Sequence, residues 1–189
     1  IEIEKKSKPD FAHGDGPLFI SFGRQPVIEY YDYISVLKKL RKRYDLTYWI
    51  IRSDRKIEEF NDEWIIQNVN RPSLEQLYEY LACADIHLLP KGDTKKVVVS
   101  STCYQCLSAP CPMVVPNTRH FEPLPVDEDG VGPVVIYRDR VDLERKLIRL
   151  IEDEEFRNRV VKNAREYAKK YSTRAVAKMF LKLFSEISS

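Results

Sequence analysis

The chain has 189 residues, 43% hydrophobic and 32% charged, and its 31 Lys+Arg against 29 Asp+Glu leave a formal charge of +2. A chain of this size fits one domain burying roughly 70% of its unfolded surface, so no disulfide or metal is required to hold it together. The near-balance of charge argues against a phosphate-tracking nucleic-acid binder, and the lack of an apolar run of about 18 to 20 residues or a secretory leader predicts a cytoplasmic protein without a membrane span.

Residues 1–16 are charged and broken by Gly and Pro; they read as an entering segment or linker, and the start at Ile1 leads us to expect a piece of something longer. Leu18 to Phe22 is a first strand closed by Gly23. Apolar positions at helical spacing from Ile28 to Tyr44 predict an amphipathic helix. Leu46 to Ile51 follows as a strand, then a small helix around Ile57 and a short strand from Trp64 to Gln67. Ser73 and Gln76 have the spacing of a capping box ahead of the stripe Leu74, Leu77, Tyr78 and Leu81. A strand from Ile86 to Leu89 ends at Pro90, and further strands run from Pro112 to Val115 and from Val134 to Tyr137. Three helices close the chain, over Val141 to Glu152, Glu154 to Tyr171 and Thr173 to Ile187. The last carries a wide apolar stripe that calls for something to lie against.

Short runs of this kind, apolar on both sides and alternating with helices, predict an α/β, Rossmann-like parallel sheet of about six strands with helices on both faces and the C-terminal helices packed outside. The strand ending at Pro90 hands over through Lys91, Gly92 and Asp93 to a helix opened by Ser100, Ser101 and Thr102. A helix start of this kind gathers free N–H groups and positive potential at one spot, a place for a phosphate that Lys91 can reach. Arg24, at the end of the first strand, offers a planar fork to a diphosphate.

The order of these pieces resembles the C-terminal, nucleotide-sugar-binding half of the GT-B-fold glycosyltransferases of the group 1, or family 4, type. The resemblance runs from about Pro17 to Phe184. It rests on LFISFGR at Leu18 to Arg24, NVNRPSLEQLYEYLACADIHLLP at Asn68 to Pro90, SAPCPMVVPN at Ser108 to Asn117, and LIRLIEDEEFRNRVVKNAREYAKKYS at Leu147 to Ser172. It implies a Rossmann-like domain over residues 17–189. Its N-terminal acceptor domain is absent here and would be its partner, and the final helix packs partly across that domain. The ligand is a nucleotide diphosphate-sugar acting as donor substrate, with no separate cofactor, no metal, and an acceptor that can sit at a membrane surface.

The resemblance places Arg24 on the donor phosphates and Asn70 and Arg71 at the base. Two family glutamates, one near the donor sugar and one on the ribose, fall at Val97 and Gln105, of which Gln105 keeps the capacity to hydrogen-bond a ribose hydroxyl. The family's second phosphate cation falls near Glu29 or Tyr30, where no Lys stands. His120, just past the fifth strand, lies on the side where sugar or acceptor would sit. No catalytic residue is assigned. The losses also admit a second reading, a catalytically degenerate domain kept as a binding or interaction module. A receiver-type module is disfavoured because the first strand lacks an acidic cluster at its end.

Cys103-x-x-Cys106 with Cys111 and Cys83 has the look of a redox pair or an incomplete zinc site. Free cysteine packs as a small apolar residue, so burial is the expectation for these thiols. His87 falls inside a buried strand and is expected in the core; His13 belongs to the entering segment.

Overall fold

The computed structural model describes residues 3–12, 14–96 and 98–187; His13 and Val97 lie outside the described residues. Six strands form one parallel sheet: β1 (Leu18–Phe22), β2 (Thr47–Arg52), β3 (Ile65–Val69), β4 (Ile86–Leu88), β5 (Met113–Pro116) and β6 (Val135–Tyr137). Their spatial order is β3-β2-β1-β4-β5-β6, so the winding reverses between β1 and β4, where Phe19 pairs with Ile86 and Ile20 with His87. All residues of β1 and β2 are buried, because both faces of the sheet are covered.

One face is packed by α1 (Tyr31–Leu40) and α4 (Arg140–Glu152), with Tyr33, Leu37, Leu143 and Leu147 in the shared core. The other is packed by α2 (Leu74–Cys83), α3 (Ser101–Cys106) and the second half of α5 (Glu154–Lys170). α5 changes faces along its length: Phe156 and Val160 join the first core and Ala164 the second. The segment before β1 straps the domain, with Lys6 N donating to Ala82 O at 2.9 Å and Phe11 edge-on to Trp49.

The capping box at Ser73 and Gln76 forms as the spacing predicts, both hydrogen bonds being present. The limits of β1 match the sequence reading, and those of the other strands differ from it by one or two residues. Two helical expectations are corrected. The helix expected from Ile28 to Tyr44 begins as a 3-10 turn, Val27–Tyr30, continues as α1 and ends at Leu40, with a turn carrying the chain to Tyr44. The segment around Ile57 is a turn, because the Gln67 side chain takes over its backbone groups: Nε2 donates to Ile57 O and Phe60 O, and Oε1 accepts from Ile57 N. The last helix, α6 (Thr173–Ile187), has no buried residue; Phe180 is 55% and Phe184 60% exposed.

Candidate functional site

In an open parallel sheet the crevice for ligands opens at the carboxyl ends of the strands where the winding reverses. Here that point lies between the turn after β1, which carries Gly23 and Arg24, and the turn after β4, which carries Lys91 and Gly92. Gly23 sits at φ 120°, and a Cβ on it would stand 2.5 Å from the Gln25 amide, so only glycine makes this turn without strain. Arg24 follows, exposed and without an ion-pair partner among the described residues.

Arg24 shares a hollow of about 670 Å³ with Arg52, Arg55 and Lys56, and Glu58 and Glu59 also belong to its wall. Arg52 is 5% exposed and fixed on several sides. Its Nε and Nη2 donate to the two carboxylate oxygens of Asp54 at 3.0 and 2.8 Å, and Nη1 donates to Gln25 O at 2.8 Å. The guanidinium also stands 5.8 Å from the Tyr30 ring centre. This pairing holds the Asp54 carboxyl down at about 2. The arrangement locks the β2 turn beside the β1 turn and leaves Arg24, Arg55 and Lys56 around one depression, none of them in a salt bridge among the described residues. Arg52, Arg55 and Lys56 are absent from the sequence reading. The Arg-x-Asp pattern at Arg52 and Asp54 was the local signal available for them.

Lys91 lines a different, smaller hollow of about 290 Å³, with Glu29, Gly92, Thr118, Tyr137 and Arg140 among its walls. The two hollows adjoin across the 3-10 turn: Pro26 and Val27 face the first, Ile28 and Glu29 the second. The Glu29 carboxylate rests against Gly92, where a Cβ would come within 2.6 Å of its Oε1. The loop after β4 is tied to the loop after β5: Arg119 N donates to Asp93 Oδ1 at 3.1 Å, and Arg119 Nη1 donates to Lys95 O at 2.9 Å. His120 is half-buried beside this knot. Desolvation, then the Lys91 charge, lowers its pKa and favours the neutral ring.

The remaining candidates lie apart from these two hollows. Ser100 is buried as the N-cap of α3, its hydroxyl accepting from Cys103 N at 3.3 Å. Ser101 is exposed and Thr102 half-buried at the start of a helix of only 6 residues. Gln105 is exposed in a third hollow, of about 910 Å³, with Tyr78, Tyr104, Tyr167, Tyr171 and Arg165. Tyr78 Oη donates to Gln105 O at 3.0 Å. Asn70 and Arg71 are exposed beyond β3, Asn70 N donating to Arg52 O at 2.9 Å.

Cys103, Cys106 and Cys111 are buried and Cys83 half-buried, all as free thiols. Burial pushes Cys103 and Cys111 up to about 12 and Cys106 higher still, so none is a thiolate nucleophile at neutral pH. Among the described residues no group of three or more His, Cys, Asp and Glu side chains is arranged to hold a metal ion. His87 is buried in the core as expected. No described helix is long and apolar enough to cross a membrane.

The six-stranded parallel sheet in the order β3-β2-β1-β4-β5-β6 is a fold this chain shares with solved structures, the C-terminal domain of a group 1 glycosyl transferase among them. The C-terminal domain of LpcC, a glycosyl transferase group 1 family protein from Francisella tularensis, superposes with a TM-score of 0.64 at 16% identity, over 89% of this chain and 87% of that one. Anabaena HepE, solved in complex with UDP-glucose, gives 0.68 at 13% identity, over 91% of this chain and 49% of that one. Sucrose-phosphate synthase from Thermosynechococcus elongatus gives 0.68 at 14%, over 92% and 46%. The chain thus spans about half the length of these two larger proteins. No family model matches the sequence.

Proposed function

We propose that this chain is the donor-binding half of a cytoplasmic glycosyltransferase that moves a sugar from a nucleotide diphosphate-sugar to a hydroxyl acceptor. The observation that carries the reading is the basic hollow beside the switch point, between the turns after β1 and β2: Arg24, Arg55 and Lys56 line it, with Glu58 and Glu59 also in its wall, and it is large enough for a diphosphate. In this account the Arg24 fork holds the leaving diphosphate by charge-assisted hydrogen bonds, and Arg55 and Lys56 supply the further positive charge that the start of α1 lacks. Lys91 stands in the adjoining hollow on the β4 side and is not part of this cradle. Gln105, Asn70 and Arg71 lie apart from this hollow and take no part in the proposed diphosphate contact.

The acceptor site and any general base belong, in this reading, to a preceding Rossmann-like domain, and the apolar stripe of α6 packs partly across it. The likeness to HepE, whose structure was solved with UDP-glucose, supports the choice of ligand class. Isothermal titration calorimetry with UDP-, GDP- and ADP-sugars tests it. Binding by one of them that Arg24→Ala abolishes is the expected result; no binding by any of them favours an interaction module built on the same fold.

A further inference from the structure

The end of the chain is charged unlike the rest of it. Residues 162–189 carry seven Lys and Arg against two Glu, whereas the 161 residues before them carry 24 Lys and Arg against 27 Asp and Glu. A basic segment on a domain that is otherwise slightly acidic calls for an anionic partner. Part of this segment walls the hollow of about 910 Å³ between α2, α3 and the end of α5, a volume within the range of small-ligand sites. Tyr78, Tyr167 and Ala168 of its wall pack on the core of the sheet face opposite α1 and α4, and the Arg24 hollow shares no residue with it.

Two cations and four phenol rings dominate the wall, and no Asp or Glu belongs to it. Arg165 is anchored, its Nη2 donating to Ile3 O at 2.9 Å. Lys169 stands one helical turn further along α5, exposed and in no salt bridge among the described residues. Tyr104, on α3, lies 6.4 Å from Tyr167, which lies 4.6 Å from Tyr171, so three rings form a ladder across two helices. Tyr104 is 38% and Tyr171 44% exposed, polar-tipped aromatic surface that the fold leaves open.

This wall selects among anions. A small inorganic ion makes no use of three rings. Successive nucleobases stack with parallel planes, and rings tilted by 41° and 43° to their neighbours offer no such stack. A lipid surface is met by groups that protrude, and these line a concavity. A puckered sugar ring suits the tilted phenols: its C–H face lies on a ring, its hydroxyls meet the phenol oxygens and the Ser108 and Ser172 side chains, and an acidic substituent meets Lys169 and Arg165. We propose that the hollow between α2, α3 and α5 binds an acidic saccharide. The binding does not depend on the diphosphate reading of the Arg24 hollow.

Isothermal titration calorimetry on the chain tests this with trigalacturonate, sialyllactose and a heparin tetrasaccharide, against neutral maltotriose and a thymidine trinucleotide. At least one acidic saccharide should bind about tenfold or more tightly than either control. Lys169→Ala should cut that preference about tenfold, the loss expected for a hydrogen bond between charged groups, and Tyr171→Ala should weaken binding about threefold or more. Both side chains are exposed, so the two variants should match the wild type in circular dichroism and thermal melting. Arg24→Ala should leave the saccharide affinity unchanged, and a failure of nucleoside diphosphates to bind leaves the site standing. The site is overturned if none of the three acidic saccharides binds, if maltotriose or the trinucleotide binds as tightly, if both folded variants keep the wild-type affinity, or if Arg24→Ala abolishes it.

Discussion

His87 offers a test of the core that can be worked through from its surroundings. It stands in the middle of β4, 1% exposed; neither ring nitrogen has a hydrogen-bond partner among the described residues, and its ring meets Phe22 edge-on at 5.6 Å. Desolvation lowers its pKa from 6.5 to about 3. An unfolded chain takes up a proton at this histidine below pH 6.5, whereas the folded one does so only near 3. The contribution of this residue to stability is therefore steady above the upper value and falls at about 1.4 kcal/mol per pH unit between the two, roughly 4 to 5 kcal/mol in all. His87→Leu removes that loss and also the two unpartnered nitrogens, so the variant should gain about 1 to 2 kcal/mol at neutral pH. Near pH 4.5 the advantage should widen by roughly 2 to 3 kcal/mol. Urea unfolding followed by circular dichroism at both pH values measures the difference. If the two proteins lose stability in parallel on acidification, His87 takes up its proton inside the fold and the reasoning is wrong.

The other predictions address single joints of the structure. Ser73→Ala removes the hydroxyl of the capping box on α2 and should cost about 1 kcal/mol, read as a lower urea midpoint with unchanged slope. Gly23→Ala forces a side chain into φ 120° and against Gln25; about 1 to 3 kcal/mol of destabilisation and weaker donor binding are expected, the second because the turn presents Arg24. Phe180→Asp with Phe184→Asp, on the exposed face of α6, should leave thermal melting of the chain nearly unchanged and should weaken association with the proposed Rossmann-like partner domain. A large drop in melting temperature would show that α6 packs on its own domain.

How far the fold could be read in advance depended on how local its causes are. All six strands were legible because each is a short apolar run between helical periods, and the capping box because its two residues stand three apart. The Ile57 turn was not, since the groups that shape it come from Gln67, on a strand reached only after the turn is complete. Strand order was beyond local reading, and with it the basic hollow: Arg24 meets Arg55 and Lys56 only because β1 and β2 are neighbours. The same lack of strand order let Arg24 and Lys91 be read as one cradle, while the structure gives them adjoining hollows with the 3-10 turn between. The absence of a lysine near Glu29 was visible in the sequence. The packing of the Glu29 carboxylate was not, because Gly92, against which Oε1 rests, comes from a distant segment.

The central claim, that the switch-point turn after β1 holds a diphosphate, is tested most directly by calorimetric titration of the chain with UDP, GDP and ADP in parallel with Arg24→Ala. The account predicts binding of at least one nucleoside diphosphate that weakens by about tenfold or more when the guanidinium fork is removed. Equal affinity in the two proteins would contradict it.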